Sequence, residues 1–564
     1  MWLNKFNTLS SFQLVLLIFI TSIITLIPSL FSGLMGDDLL HYLLFNKPDT
    51  LPLRADYSFF NLFSFVDDDK GNRLKLMQIS LLPWWVSTDF TWNFWRPLAE
   101  LTHGLDYVFF KRNFIFMHLH SLFWFALLLF LMLKMYRVLF QEKALSLLAF
   151  GVFAFSLSHA VTVAWLSNRH AIIASIFILG AFLFHHKAEQ KRSLLFYSLA
   201  LMMTLLAFLA SELGVSTGVW FVCYTFFLNP KQGIHKWIRL LPYAVIFFIW
   251  AYYYRQGNFG INGYSTFYLD PAKYPWQFLV NYSENLPAII AAQFWVIPAD
   301  IFSAIQYSWV TPIIGGLTAA LLFLPLRHNT DKRLLGFLLT SFLLLAIPIA
   351  TSPAQDRNLL QVSMAFSGLL ALVLYQCFQL MKDIKYLRLL FFTILFLHFV
   401  VSPLLTLPMS YAPKLLAHAG ERRAKTLSIA QGDQVIIFKG DMMETTYLYP
   451  RRVELAYSLP SKLWNIGGHH SQLKVSRIND NTLQVHALND FFTESDLMAR
   501  DIKTDPFNQS VKTLNGIIIR VDAVSKKGLP ESMTLIHEAG VKLFVWQKMG
   551  YKQFKLKKGE SIAL

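Results

Sequence analysis

The chain has 564 residues, of which 55% are hydrophobic, 16% aromatic and only 15% charged, with a formal net charge of +16. That composition, with a mean hydropathy of +0.44, excludes an ordinary soluble globular protein. The basic excess combines residues flanking apolar runs with a basic C-terminal region, so it points to anionic lipid surfaces or phosphorylated lipids and gives no reason to expect nucleic acid.

Apolar runs of spanning length recur at 12–31, 114–137, 144–165, 170–186, 193–210, 213–228, 238–255, 307–326, 333–350, 357–381 and 387–409. They predict an α-helical polytopic membrane protein with about eleven transmembrane helices. A weaker run at 285–301 reads as a partial or surface helix. Basic clusters at Lys134/Arg137/Lys143, Lys187 to Arg192, Lys231 to Arg239, Arg327 to Arg333 and Lys382 to Arg388 fall on alternate loops. Basic residues in short loops stay on the cytoplasmic side. The N-terminus is therefore expected inside, and the loops 32–113 and 256–285 outside, together with everything after about residue 410. A full span at 285–301 would break that alternation. Lys5 before the first apolar run resembles a signal-peptide start, but the run is of spanning length and lacks a small-x-small site, so a retained helix is expected.

The run Phe12 to Phe31 leads into Met35-Gly36-Asp37-Asp38, which places two adjacent carboxylates at the membrane surface. The loop 32–113 carries Asp37, Asp38, Asp49, Asp56, Asp67, Asp68, Asp69, Asp89, Glu100 and Asp106, more than half of the acids before the C-terminal region. Within it, Pro97 suits the first turn of a helix. Arg96, Glu100, His103 and Tyr107 then share one face, a polar stripe on a helix lying along the membrane surface. Trp84, Trp85, Trp92, Trp95 and Tyr264 could stack on sugars, although an interfacial aromatic belt also accounts for them.

Three more polar clusters fall on the same predicted side: Ser167-Asn168-Arg169-His170, Ser211-Glu212 and Gln355-Asp356-Arg357-Asn358. Singly, each has an ordinary explanation. Asp356 suits a helix N-terminus, and Arg169 suits lipid headgroups. Together, an acid pair, several arginines and a histidine at one depth outline a pocket for an anionic group beside a general base.

Past residue 410 short β-favouring runs at Val435–Phe438, Leu473–Val475, Thr482–Val485, Ile517–Val521 and Lys542–Trp546 alternate with Gly, Asn, Asp and Lys. They predict a mixed α/β, strand-rich extracytoplasmic domain over 411–564, following a membrane domain over 1–410. Cys223 and Cys377 both lie in apolar runs, so neither a disulfide framework nor a cysteine metal site is expected. The C-terminal region contains no phosphate loop, no His-Glu-x-x-His and no serine elbow.

The order Gly36-Asp37-Asp38, Trp95-Arg96-Pro97-Leu98, Leu105-Asp106-Tyr107, Met117-His118-Leu119-His120, Trp165-Leu166-Ser167-Asn168-Arg169, Ser211-Glu212 and Asp356-Arg357-Asn358 resembles the polytopic C-type (GT-C fold) glycosyltransferases. The nearest likeness is to the protein O-mannosyltransferase and tetratricopeptide-type mannosyltransferase branch, with a relation to lipid A aminoarabinose transferases, over about residues 1 to 410. This chain departs from the pattern in having Ser211 where the family often has Lys, and Asp37-Asp38 for its common Asp-Glu pair.

The resemblance implies transfer of a sugar from a polyprenyl-phosphate donor to a glycan, lipid or protein acceptor on the outer face. By carry-over, Asp37 is the base, Asp38 its neighbour or a sugar ligand, and Arg96, Arg169 and Arg357 hold the lipid phosphate. Glu100, His103, Asn168, His170, Glu212 and Asp356 complete the expected substrate-binding set. No cofactor is called for with certainty; a divalent metal is compatible with converging acids, and some relatives work without one. Two other functions fit a chain of this type: a transporter or flippase of a lipid-linked or anionic solute, and a non-catalytic envelope-glycan assembly factor. A transporter needs ionisable groups in mid-span, where this sequence has mostly Leu, Phe, Ile and Ala.

Overall fold

The computed structural model describes residues 11–50, 60–229, 231, 233–263, 268–305, 309–328, 330–440, 442–493, 496–508, 510–547 and 550–564. Lys5, Asp56 and Tyr264 lie outside that set. Among the described residues, six helices are long and apolar enough to cross a membrane: Ser11–Phe31, Phe114–Leu139, Leu166–Lys191, Lys332–Thr351, Leu360–Leu380 and Lys385–Thr426. Shorter apolar helices at Lys143–Ala154, Leu194–Ala210, Glu212–Leu228 and Val310–Leu326 occupy further predicted runs, as does Leu241–Gln256. Length and apolarity thus give fewer full spans than the sequence suggested. The weak run near 285–301 becomes a helix, Pro275–Trp295, longer than expected.

Two compact units are formed. The first comprises Trp95–Gly257, Leu269–Lys414 and the described residues up to Leu34. Its centre is Leu360–Leu380, where Val362, Ala365, Leu370, Ala371 and Leu374 are sealed from solvent. Helices approach closely where side chains are small, the usual arrangement in lipid. Gly368 faces Leu338 and Gly336 faces Phe227.

The predicted span 144–165 is broken into Lys143–Ala154 and His159–Ala164. In an apolar body the carbonyls freed by such a break must find donors, and side chains supply them. His159 Nε2 reaches Phe153 O at 2.8 Å, Ser22 Oγ donates to Ala154 O at 2.6 Å, and Ser402 Oγ donates to Phe155 O. The donors on Ser22 and Ser402 come from the first and last candidate spans, so the break also ties the ends of the helical unit together.

The helix predicted to start at Pro97 spans Pro97–Phe110. Its polar stripe faces inward: Arg96, Glu100, His103 and Tyr107 are buried, Glu100 completely, while Phe109 is 71% exposed and Val108 58%. This is the reverse of a helix in water and fits one with lipid on its outer face.

The second unit comprises the described residues of Met35–Phe94, Asn258–Tyr268 and Leu415–Leu564. β1 (Ser64–Val66), β2 (Thr91–Asn93) and β3 (Gly260–Asn262) form one small antiparallel sheet. The C-terminal region contributes β4 (Gln434–Phe438), β5 (Lys462–Asn465), β6 (Leu473–Asn479), β7 (Thr482–Ala487), β8 (Val511–Leu514), β9 (Ile517–Val524), β10 (Pro530–His537), β11 (Lys542–Gln547), β12 (Gly550–Phe554) and β13 (Ser561–Ala563). Their orders are β13-β6-β7-β10-β9-β8 and β12-β11-β4-β5. The continuous apolar run Val435–Phe438 is explained by its place: β4 pairs in parallel with both β11 and β5, and all four residues are sealed, as parallel strands covered on both faces require. Between β8 and β9 the turn is Asn515-Gly516, with Gly516 at φ +89°, a left-handed backbone that glycine adopts without strain.

All five runs expected as strands lie in strands. Trp84 and Trp85, expected to meet sugars or the membrane interface, are buried instead. Their indole N–H groups donate to Ile466 O at 3.2 Å and Asp496 O at 2.7 Å. Several outer-loop acids serve local structure: Asp69 caps the helix Lys70–Gln78, and Asp67 accepts from the Asp69 and Asn72 N–H groups.

A Cβ added at Gly315 would lie 2.4 Å from Pro287 Cβ, whereas nothing lies within 4 Å of one at Gly316. Gly315→Ala is expected to destabilise the helical unit by about 1–3 kcal/mol through overpacking, and Gly316→Ala to leave it unchanged or slightly stabler. Melting of the two variants in detergent, side by side, checks this.

Candidate functional site

In the first unit, four segments far apart in sequence meet. Arg96 Nη2 and Nε lie 2.9 and 3.0 Å from the same carboxylate oxygen of Glu212, Oε2. The other oxygen accepts the Tyr254 O–H at 3.0 Å. Ser211 Oγ links the pair to His170, 3.0 Å from Nδ1 of that ring, and lies 3.3 Å from Glu212 Oε2. His170 also lies within electrostatic reach of both Arg96 and Arg357. Ser211 in addition caps the short helix Glu212–Val215 by accepting the Leu213 N–H, which fixes the direction of Glu212.

Arg357 is half-buried and differs from Arg96. Its guanidinium stacks on Trp165, 4.8 Å from the ring centre, and Nε–H donates to Gln355 Oε1 at 2.8 Å. Among the described residues no carboxylate neutralises it. On the adjoining turn, the indole N–H of Trp165 and the amide Nδ2 of Asn168 are buried without an acceptor among the described residues. An uncompensated guanidinium beside unused N–H donors is arranged to receive an anion.

Arg169, expected among the phosphate-holding cations, is turned inward. It is completely buried and donates to Asp106 Oδ2 at 2.5 Å, Ser121 Oγ at 2.9 Å and Met117 O at 2.7 Å. Asp106 also meets His120 Nδ1 at 2.6 Å, and Trp124 N–H donates to His120 Nε2 at 2.9 Å. Because Nε2 accepts from Trp124, the neutral ring carries its proton on Nδ1 and donates it to Asp106. The 3.2 Å approach of Arg169 Nη1 to Nδ1 is then proximity rather than a bond. In this geometry Arg169 clamps the helices Pro97–Phe110, Phe114–Leu139 and Arg169–Lys191. Glu100 and His103 are buried within the first unit.

Asp356 serves a helix other than the one it precedes. Its Oδ1 accepts the Ala299 N–H at 2.8 Å, at the start of Ala299–Ala304, and Asp300 Oδ2 accepts the Asp356 N–H at 3.1 Å. Oδ2 of Asp356 has no partner among the described residues, and the side chain lines a small pocket with Ser158, Gln293 and His398. Burial pushes its carboxyl up to about 7, opposed by the Ala299 N–H and reinforced by Asp300.

The acid pair belongs to the second unit. Asp37 and Asp38 open the helix Asp37–Asn46 rather than end the preceding one, and carboxylates are favoured in that first turn. Gly36, at φ +53°, makes the sharp entry that other residues resist. Asp38 is buried and accepts the Met35 N–H at 3.2 Å. Asp37 is half-buried, and its Oδ1 accepts the O–H of Tyr447 at 2.7 Å. Neither Tyr447 nor Tyr254 stood out in the sequence, because a lone tyrosine in an aromatic-rich chain carries no pattern. Among the described residues no three His, Cys, Asp or Glu side chains are grouped to hold a metal ion.

No family model matches the chain, and no curated protein matches it. Among solved structures it is similar to the crystal structure of ArnT from Cupriavidus metallidurans bound to undecaprenyl phosphate. The identity is 11% and the TM-score 0.41, with 92% of this chain and 97% of that chain covered.

Two outcomes follow from the buried charges. Arg169→Lys cannot reproduce the guanidinium fork, and Asp106→Asn leaves a buried cation unpaired, so each is expected to cost about 3–5 kcal/mol in detergent melting. Asp356 keeps its proton in the fold up to about 7 but releases it near 3.8 when unfolded. The associated stability is full below 3.8 and lost as pH rises through about 7, and Asp356→Asn should flatten that decline in a melting series across pH.

Proposed function

We propose that this protein is a membrane glycosyltransferase that takes a sugar from a polyprenyl-phosphate-linked donor and passes it to a glycan, lipid or protein acceptor on the outer face of the membrane. The observation that carries the reading is Arg357: a half-buried guanidinium with no described carboxylate partner, beside unused donors on Trp165 and Asn168. Such a group suits the departing lipid phosphate, whose growing charge is stabilised only by donors at contact distance. Arg96, tied to Glu212, and His170, tied to Ser211, flank the phosphate as polar contacts for the sugar. Asp37 accepts the proton of the acceptor hydroxyl, and Asp38 holds the turn that presents it. Arg169 contributes by fixing the helices rather than by touching substrate.

In this reading residues 1–410 form the transferase domain of a plasma-membrane protein with its N-terminus in the cytoplasm. Residues 411–564 lie outside. The reaction balances without a further reagent: the acceptor oxygen forms the new glycosidic bond, the bond from sugar to phosphate breaks, the phosphate leaves as an anion, and the hydroxyl proton passes to Asp37.

Mass spectrometry of envelope glycans and glycolipids, with and without the protein, is the direct test. A sugar present only with the protein supports the reading; redistribution of an unchanged lipid-linked sugar between leaflets would favour a flippase instead. Asp37→Asn should cut the rate by about 10²–10⁴-fold, leaving a measurable residue of product and insertion intact. Retention of more than about a tenth of the wild-type rate would remove Asp37 as base, since a positioned base contributes about 10²–10⁴-fold. Arg357→Gln should weaken binding of undecaprenyl phosphate to the purified protein, by about tenfold or more for a lost charge-assisted bond; unchanged affinity would take Arg357 out of the phosphate site.

A further inference from the structure

We propose that Tyr447, from the strand-rich C-terminal region, is a positioning residue for Asp37, so that the C-terminal region is a working part of the transferase rather than a docking appendage. This rests on the reading of Asp37 as the base. The contact lies within the second unit, between residues 410 positions apart: the phenol O–H donates to Asp37 Oδ1 at 2.7 Å. A bond of that length to a carboxylate is a strong one. It fixes one oxygen of the carboxylate and favours the charged form that a base requires.

The segment presenting Tyr447 is held from several sides. Upstream, Asn465 Nδ2 donates to Gly440 O at 2.7 Å and Thr445 Oγ1 at 3.1 Å, fixing the chain as it leaves β4. A Cβ at Gly440 would lie 2.6 Å from Thr445 and 2.8 Å from Asn465, so this turn has room only for glycine. Downstream, Arg452 is buried in the helix Leu448–Glu454, and its guanidinium donates to the carbonyls of Ala424, Leu427 and Ser458. Tyr449 O–H donates to Thr50 O at 2.9 Å, a second tie to the segment that begins at Asp37. Burying an arginine to satisfy three backbone carbonyls is costly unless every bond is made. Here it secures the helix next to Tyr447, and the phenol is thereby delivered to the carboxylate by a fixed frame.

The test uses the full-length protein in membrane vesicles, with the vesicles' own polyprenyl-phosphate-linked sugars radiolabelled in vivo, and follows transfer across pH. Tyr447→Phe keeps the ring and removes the donor. Its rate is expected to fall between about 10- and 100-fold, the range for a hydrogen bond to a charged group. The acid limb of the rate profile should move to higher pH because the carboxylate loses a donor. Tyr449→Phe, in the adjoining helix, removes a bond to the Thr50 carbonyl and none to the carboxylate, so whatever its rate, its acid limb should stay at the wild-type pH. On an Asp37→Asn background, Tyr447→Phe should add nothing.

A Tyr447→Phe protein that is slower with the acid limb unmoved, or that keeps the wild-type rate and profile, overturns the inference; so does a further loss on the Asp37→Asn background. If Asp37→Asn alone keeps wild-type transfer, the reading of Asp37 fails first. Detergent melting of Tyr447→Phe separates lost folding from lost positioning, and the pH limb is read on whatever folded fraction remains.

Discussion

The helical unit depends on one completely buried ion pair, Arg169 with Asp106. A guanidinium cut off from water must satisfy its donors within the protein, and this one does so with a carboxylate, a serine hydroxyl and a main-chain carbonyl drawn from the helices Pro97–Phe110 and Phe114–Leu139. The penalty for losing any of these partners is larger than the gain from a typical contact. The relative placement of three helices is therefore fixed by charge before their apolar faces are considered. That placement turns the stripe of Arg96, Glu100 and His103 inward and leaves Val108 and Phe109 outside.

With Arg169 committed to the fold, the remaining arginines divide by compensation. Arg96 shares Glu212 Oε2 through two nitrogens, and Tyr254 occupies the other oxygen, so its charge is largely answered. Arg357 rests on an indole face and an amide, neither of which neutralises it. The contrast is physical: a compensated guanidinium orients its surroundings, while an uncompensated one has field to spend on an arriving anion. The acids differ too. Asp38 is buried and closes a turn through the Met35 N–H, Asp356 has its carboxyl pushed up by burial, and Asp37 keeps a half-buried carboxylate whose Oδ1 is held by a phenol.

Much of the fold was legible because its signals are local. Apolar runs located the helices, Pro97 marked a helix start, and the runs at Val435 and Ile517 marked strands. Local signals failed where a distant partner decides. The run 144–165 reads as one span, yet Ser22, His159 and Ser402 supply donors that let it break at Phe155. Trp84 and Trp85 read as interfacial aromatics, yet the backbone at Ile466 and Asp496 captures both indoles.

The site divides along the same line. The sequence by itself determined which groups were available: an acid pair after the first span, arginines at 96, 169 and 357, and a histidine and a glutamate on turns predicted to share one side. Residue type and spacing suffice to name the groups, because both are read along the chain; their shared side is an expectation from the alternation of basic loops. Only the tertiary structure decided what each group does with its charge. Arg169 and Arg357 are indistinguishable as letters on polar turns; one is sealed against Asp106 and the other lies over Trp165. No pattern in the chain links Asp37 to Tyr447, since a hydrogen bond between residues so far apart exists only once the intervening chain has packed.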